Sequence, residues 1–165
     1  MPVKLLKKTG CKAVKMEGGV KIKDTIRRIV DIGIPVLGHI GLAPQSVNIL
    51  GGYSVQGIEN SKKIIDDAVA VEDAGAFAVV VEKVQMSLAR DITERLSIPT
   101  IGIGAGPFCD GQILVIADML GLFRQYKPKF VRKYADLSNI ALDGFKKYIE
   151  DVRNRKFPRT EESYE

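Results

Sequence analysis

Short apolar runs alternate with amphipathic stretches along nearly the whole chain, and that alternation limits the fold more than any other feature. Residues 13–17, 35–40, 77–81, 99–104 and 113–116 form runs of strand length. Between and after them, residues 24–32, 60–74, 87–96 and 138–152 repeat apolar side chains at helical spacing. Ile64, Ile65, Ala68, Val71 and Ala74 are one such stripe. Gly33 and Gly75 stop two of the helices, and Ser87 is a suitable N-cap for a third. The run FAVVV at 77–81 is apolar throughout, as in strands covered on both faces of a parallel sheet. Strands alternating with helices predict βαβ units. A closed (β/α)₈ barrel needs about 250 residues. The 165 residues here hold five strand runs. The expected class is therefore α/β, either a small open sheet or the larger part of a TIM barrel. One domain over residues 1–165 is expected, with a charged surface tail at 153–165.

Composition excludes several functions. Hydrophobic residues make up 45% and charged residues 27%, an ordinary soluble mixture. No apolar run reaches the roughly 18 residues of a membrane span, so no membrane partner is expected. No signal-peptide pattern follows Met1, so the expected compartment is the cytoplasm. Cys11 and Cys109 read as free thiols, and a single histidine rules out a multi-histidine zinc site. The net charge of +5 concentrates mildly at 4–15 and 127–133. Neither stretch interleaves aromatics and there is no tryptophan, so no nucleic-acid partner is expected. Residues 41–60, with four glycines and no helical stripe, read as an ordered loop over the mouth of a site.

In parallel α/β folds ligands meet the carboxyl ends of the strands. The polar residues there are Lys15 and Glu17, His39, Glu82 and Asp118, with Gly102, Gly104 and Gly106 after the fourth run. A carboxylate such as Glu17 can ligate Mg²⁺ or simply open a turn. Lys15 shares its face, since side chains alternate along a strand, and can hold an anionic group or pair with Glu17. Glu82 ends an apolar strand, a setting that suits a general base, though a lysine partner is the plainer reading. His39 can line a site or be a satisfied core histidine. The GIGAG stretch at 102–106 could approach a phosphate, but it lacks the spacing of a dinucleotide fingerprint. Asp110 and Asp118 read as turn and capping residues. No nucleophile motif is present.

Five segments resemble the ketopantoate hydroxymethyltransferase family: KMEGG at 15–19, GHIGLAPQSVNILGGYSVQG at 38–57, AVVVE at 78–82, IPTIGIGAGPFCDGQILVIADMLGL at 98–122 and KPKFVRKYADL at 127–137. The resemblance implies a (β/α)₈ TIM barrel, of which this chain would be strands four to eight and a C-terminal helix. It implies hydroxymethyl transfer from 5,10-methylenetetrahydrofolate to 3-methyl-2-oxobutanoate, on the route to pantothenate and coenzyme A. It also implies Mg²⁺ held by Glu17, the oxo acid contacted by Lys15, Glu82 as proton acceptor, His39 lining the site, and a homo-oligomer. Two aspartates that complete the family's site belong to strands before this chain's first. Lys83-Val84-Gln85, Ala117 and Glu162-Ser163-Tyr164 depart from the family's usual residues. The alternatives are a non-catalytic assembly subunit, or a related Mg²⁺-dependent oxo-acid barrel enzyme of the phosphoenolpyruvate mutase and isocitrate lyase group.

Overall fold

The computed structural model describes residues 2–42, 56, 60–123 and 128–164. They form two compact units, one over Met1–Ile113 and one over Leu114–Glu165.

The first unit opens with helix α1 (Pro2–Thr9) and contains strands β1 (Val14–Glu17), β2 (Val36–Gly41), β3 (Ala78–Glu82), β4 (Thr100–Ile103) and β5 (Gly111–Gln112). Helices α2 (Lys23–Asp31), α3 (Ser61–Asp73) and α4 (Met86–Arg95) lie between the first four strands in sequence. The sheet is parallel throughout, in the order β1-β2-β3-β4-β5. A doubly wound sheet reverses its strand order at a switch point, and this one does not. One core holds Ile26 and Ile29 of α2, Ile64 and Val71 of α3, and Leu88 and Ile92 of α4 against Val36, Ile40, Val79 and Val81 of the sheet. Three helices on one face of a sequentially ordered parallel sheet make the wall of a barrel.

The local reasons are visible in single residues. Each valine or isoleucine sealed in this core contributes about 1.5–3 kcal/mol. Gly38 lets α3 sit close, because a β-carbon there would lie 2.2 Å from Val71 Cγ1. Gly75 ends the α3 segment at φ 90°, with its N–H donating to the Glu72 carbonyl at 2.8 Å. Glu72 then fastens the approach to β4. Its Oε1 accepts from Ser97 N–H at 2.6 Å, Ser97 Oγ at 2.7 Å and Ile98 N–H at 3.2 Å. Partial burial pushes the Glu72 carboxyl up, but these hydrogen bonds outweigh it and hold it below its usual range.

The fifth strand differs from the expected 113–116. It is Gly111–Gln112, paired with Ile101 and Gly102. Parallel strands normally need a crossover of about a dozen residues. Here residues 104–110 make the return without a helix. Asp110 sets its length: its Oδ2 accepts from Thr100 N–H at 2.8 Å and Thr100 Oγ1 at 2.9 Å. The Thr100 amide, with the hydroxyl beside it, holds the Asp110 carboxyl below the usual carboxylate range. Pairing therefore starts at Gly111, and the apolar residues that follow fall outside the sheet. Ile113 is 49% exposed, and Ile116 begins helix α5. Ser87 likewise lies inside α4, whose N-cap is Gln85 with no side-chain cap bond.

The second unit contains α5 (Ile116–Met119), α6 (Leu137–Arg153) and a 3₁₀ turn at Thr160–Glu162. Tyr134 and Leu137 donate their amides to the Met119 and Leu120 carbonyls, which ties the start of α6 to the end of α5. No residue of α6 is buried, and Ile140, Phe145, Tyr148, Ile149 and Val152 are all exposed. Residues 153–164 are exposed. Among the described residues no helix is long and apolar enough to cross a membrane.

Candidate active site

Alternation along the strands turns Val14, Met16, Val36, Ile40, Val79 and Val81 toward the helices. Lys15, Glu17, His39 and Glu82 consequently share the other face. Register does the rest. Glu17 stands opposite His39 across β1 and β2, and His39 is opposite Val80, two residues before Glu82. The carboxyl ends of three neighbouring strands thus bring together four of the five polar residues singled out in the sequence.

His39 is the centre of the group. It is 1% exposed. Its Nε2 lies 3.0 Å from Glu82 Oε2 and its Nδ1 lies 3.5 Å from Glu17 Oε1. Both carboxylates are close, yet among the described residues neither ring nitrogen has a hydrogen-bond partner of acceptable direction. The 3.0 Å contact is therefore a close approach without the direction of a hydrogen bond. Buried polar atoms left in this condition are uncommon and concentrate where a group has chemical work. Lys15 Nζ lies 3.6 Å from Glu17 Oε1, with its side chain 49% exposed. The arrangement offers one exposed cation and two shielded carboxylates around a buried imidazole.

Backbone ties fix the strand ends from which the two carboxylates project. Gly18 N–H donates to the His39 carbonyl at 2.9 Å, locking the end of β1 to β2. The Glu82 carbonyl accepts from Leu42 N–H at 2.9 Å, and Lys83 N–H donates to the Ile103 carbonyl at 2.8 Å. Gly41 makes the first of these possible: its φ is 87°, and a β-carbon there would lie 2.3 Å from the Glu82 carbonyl oxygen. Lys83 itself takes φ 53°. Gln56, a buried residue of the long loop, donates its amide to the Lys83 carbonyl and accepts from Gln85 N–H. The remainder of that loop, 43–55 and 57–59, lies outside the described residues.

Other sequence candidates have different positions. Asp118 is in α5 of the second unit. Asp110 closes the turn before β5, as read from sequence. Gly106 gives close packing, since a β-carbon would lie 2.5 Å from Met86 Cγ, and its carbonyl accepts from the Gln112 side chain. Cys11 and Cys109 are free thiols. Asp67 of α3, which accepts the Val20 amide at 2.8 Å behind the Gly18-Gly19 turn, was not singled out in the sequence. Its signal was the paired glycine, which marks a close approach.

Glu17 supplies the kind of hard oxygen that Mg²⁺ prefers. Among the described residues no group of three or more histidine, cysteine or acidic side chains converges to hold a metal. The donor set thus fits a single protein carboxylate on Mg²⁺, not a closed protein cage.

Comparison with known proteins gives a consistent picture. A family model described as ketopantoate hydroxymethyltransferase matches residues 1–160. A 3-methyl-2-oxobutanoate hydroxymethyltransferase of Chlorobaculum tepidum is 53% identical over 163 residues, covering 98% of this chain and 59% of its own length. Its namesake in Geobacter metallireducens is 55% identical over 157 residues, 94% of this chain and 59% of its own. The one in Thermoanaerobacter sp. is 53% identical over 163 residues, 98% of this chain and 60% of its own. The chain therefore spans about three fifths of the length of the curated relatives it matches.

Proposed function

Because the chain belongs to the ketopantoate hydroxymethyltransferase family, we propose that its strand ends serve the reaction for which its relatives are named. That reaction carries a one-carbon unit from 5,10-methylenetetrahydrofolate to 3-methyl-2-oxobutanoate and yields 2-dehydropantoate, in pantothenate and coenzyme A biosynthesis. The observation that carries the reading is the convergence of Lys15, Glu17, His39 and Glu82 at the carboxyl ends of β1, β2 and β3.

The roles follow from the chemistry. Attack on a one-carbon electrophile requires removal of the proton on C3 of the oxo acid. Glu82 is the proton acceptor: its side chain is only 18% exposed, and the backbone at the end of its strand is tied to Leu42 and, through Lys83, to Ile103. Lys15, the exposed cation of the group, contacts the oxo acid's carboxylate. Glu17 is the protein ligand to Mg²⁺, which when bound would polarise the 2-oxo group and favour the enolate. His39 is the wall of the site and holds the two carboxylates on either side of its ring. We further propose a cytoplasmic homo-oligomer in which both compact units belong to one barrel domain.

Exchange of the C3 proton of 3-methyl-2-oxobutanoate in deuterated buffer with Mg²⁺ tests the assignment, with the amino-terminal segment of a relative supplied in trans. Glu82→Gln should lower exchange roughly 10²–10⁴-fold while oxo-acid binding stays near normal. Undiminished exchange removes Glu82 from the role, and no exchange in the unsubstituted chain removes the function.

A further inference from the structure

We propose that Asp67, on the helix behind the sheet, is the positioning residue for the turn that carries Glu17. After Glu17 the chain turns through Gly18 and Gly19 into the 3₁₀ turn Val20–Ile22, which continues as α2. Two amides tie this turn to its neighbours. On one side Gly18 N–H donates to the His39 carbonyl of β2 at 2.9 Å. On the other, Val20 N–H donates to Asp67 Oδ1 of α3 at 2.8 Å.

The second tie does a job the turn cannot do for itself. The first amides of a helical segment have no partner within it, and an N-cap side chain usually supplies one. Here the N-cap is Gly19, which has no side chain to offer. The acceptor comes instead from Asp67, 47 residues further along the chain. A carboxylate also suits the positive end of a helix. Gly19 and Asp67 are fitted to each other: a β-carbon on Gly19 would lie 2.1 Å from Asp67 Oδ1 and 2.2 Å from Asp67 Cβ. The glycine that cannot cap is the residue that makes room for the cap.

The consequence reaches the site. Gly18 and Gly19 are the least restricted residues the backbone can have. With Asp67 in place, the segment from Glu17 to Val20 is stretched between β2 and α3. Without it the turn loses its tie to α3 and gains freedom about the two glycines. A looser turn lets the Glu17 carboxylate, now 3.5 Å from His39 Nδ1 and 3.6 Å from Lys15 Nζ, range more widely. The metal part of the test rests on the reading of Glu17 as a Mg²⁺ ligand; the exchange part does not.

Residue-resolved hydrogen exchange on the full chain decides the matter. In Asp67→Ala the Val20 and Gly18 amides should both exchange roughly fivefold faster or more, relative to the β3 amides. The Glu17 carboxyl carbon resonance should move with them. Asp67→Asn keeps an acceptor oxygen and should stay close to the unsubstituted protein. Asp66→Ala, an exposed neighbour, should change neither amide. Gly19→Ala pushes the aspartate away from the other side and should reproduce the Asp67→Ala pattern, which covers the case in which Asp67→Ala fails to fold. Faster exchange at Val20 alone, or a proportional rise at every amide, overturns the proposal. Titration with Mg²⁺ separates the two readings. Weaker binding in Asp67→Ala but not in Asp67→Asn supports both. A protein that binds no Mg²⁺ overturns the role of Glu17, and the exchange pattern still judges Asp67.

Discussion

A buried imidazole without an aligned hydrogen bond is costly to keep, about 1–3 kcal/mol for each polar group left unsatisfied. Among the described residues His39 has no aligned partner, but it has a carboxylate near each nitrogen. A substrate or metal that draws on either carboxylate changes the surroundings of both. Lys15 and Glu17 can be told apart on this basis. If Glu17 holds Mg²⁺ and the metal would in turn hold the oxo acid, as proposed, Glu17→Ala should weaken Mg²⁺ affinity and oxo-acid affinity together. Lys15→Ala should weaken oxo-acid affinity and leave Mg²⁺ affinity near normal. Calorimetric titration reads both, and equal loss of Mg²⁺ binding in the two variants would mean that Lys15 acts only through Glu17. All four residues were legible in the sequence because each is a polar residue ending or punctuating an apolar run, a pattern that survives without tertiary information. Asp67 was not, because in DDAVAVED it looks like any acidic residue on a solvated helix face. Its meaning depends on a turn 47 residues away.

At the scale of elements, the junction from α3 to β4 depends on one carboxylate. Glu72 receives three hydrogen bonds from Ser97 and Ile98, and its carboxyl is held below the usual value of 4.5. A depressed carboxyl stabilises the fold above that pH, and the contribution disappears as the pH falls through the folded value. Glu72→Ala should cost about 1–3 kcal/mol at pH 7. Glu72→Gln should cost less, and the gap between it and the unsubstituted protein should close as the pH drops below 4.5. Urea midpoints measured from pH 7 to pH 3 check this; a gap that widens on acidification would contradict it. Four strands and the helices between them could be read from apolar periodicity, since their runs are buried on the helix side of the sheet. The fifth could not. A continuous apolar run at 113–116 looks like a buried strand, but register at that edge is set by the Asp110–Thr100 clasp, which pairing statistics along the chain do not contain.

At the scale of the molecule, the sheet is bordered by β1 and β5, and each has one side without a neighbouring strand among the described residues. Unpaired edges and exposed apolar faces drive association. The apolar stripe of α6, with Ile140 66% and Phe145 65% exposed, adds to this. The 18.1 kDa chain should therefore sediment as a species larger than a monomer at micromolar concentration. Charged substitutions at Ile140 and Phe145 should shift it toward the monomer, and a stable monomer before any substitution would refute the expectation. The sequential strand order also has a temporal meaning. Each strand pairs with those that immediately precede and follow it, so a chain leaving the ribosome can add them one at a time. Lys15, Glu17, His39 and Glu82 all precede residue 83 of 165. The four residues can thus come together before β4 is translated, and β4, arriving later, clamps the end of β3 through the amide of Lys83.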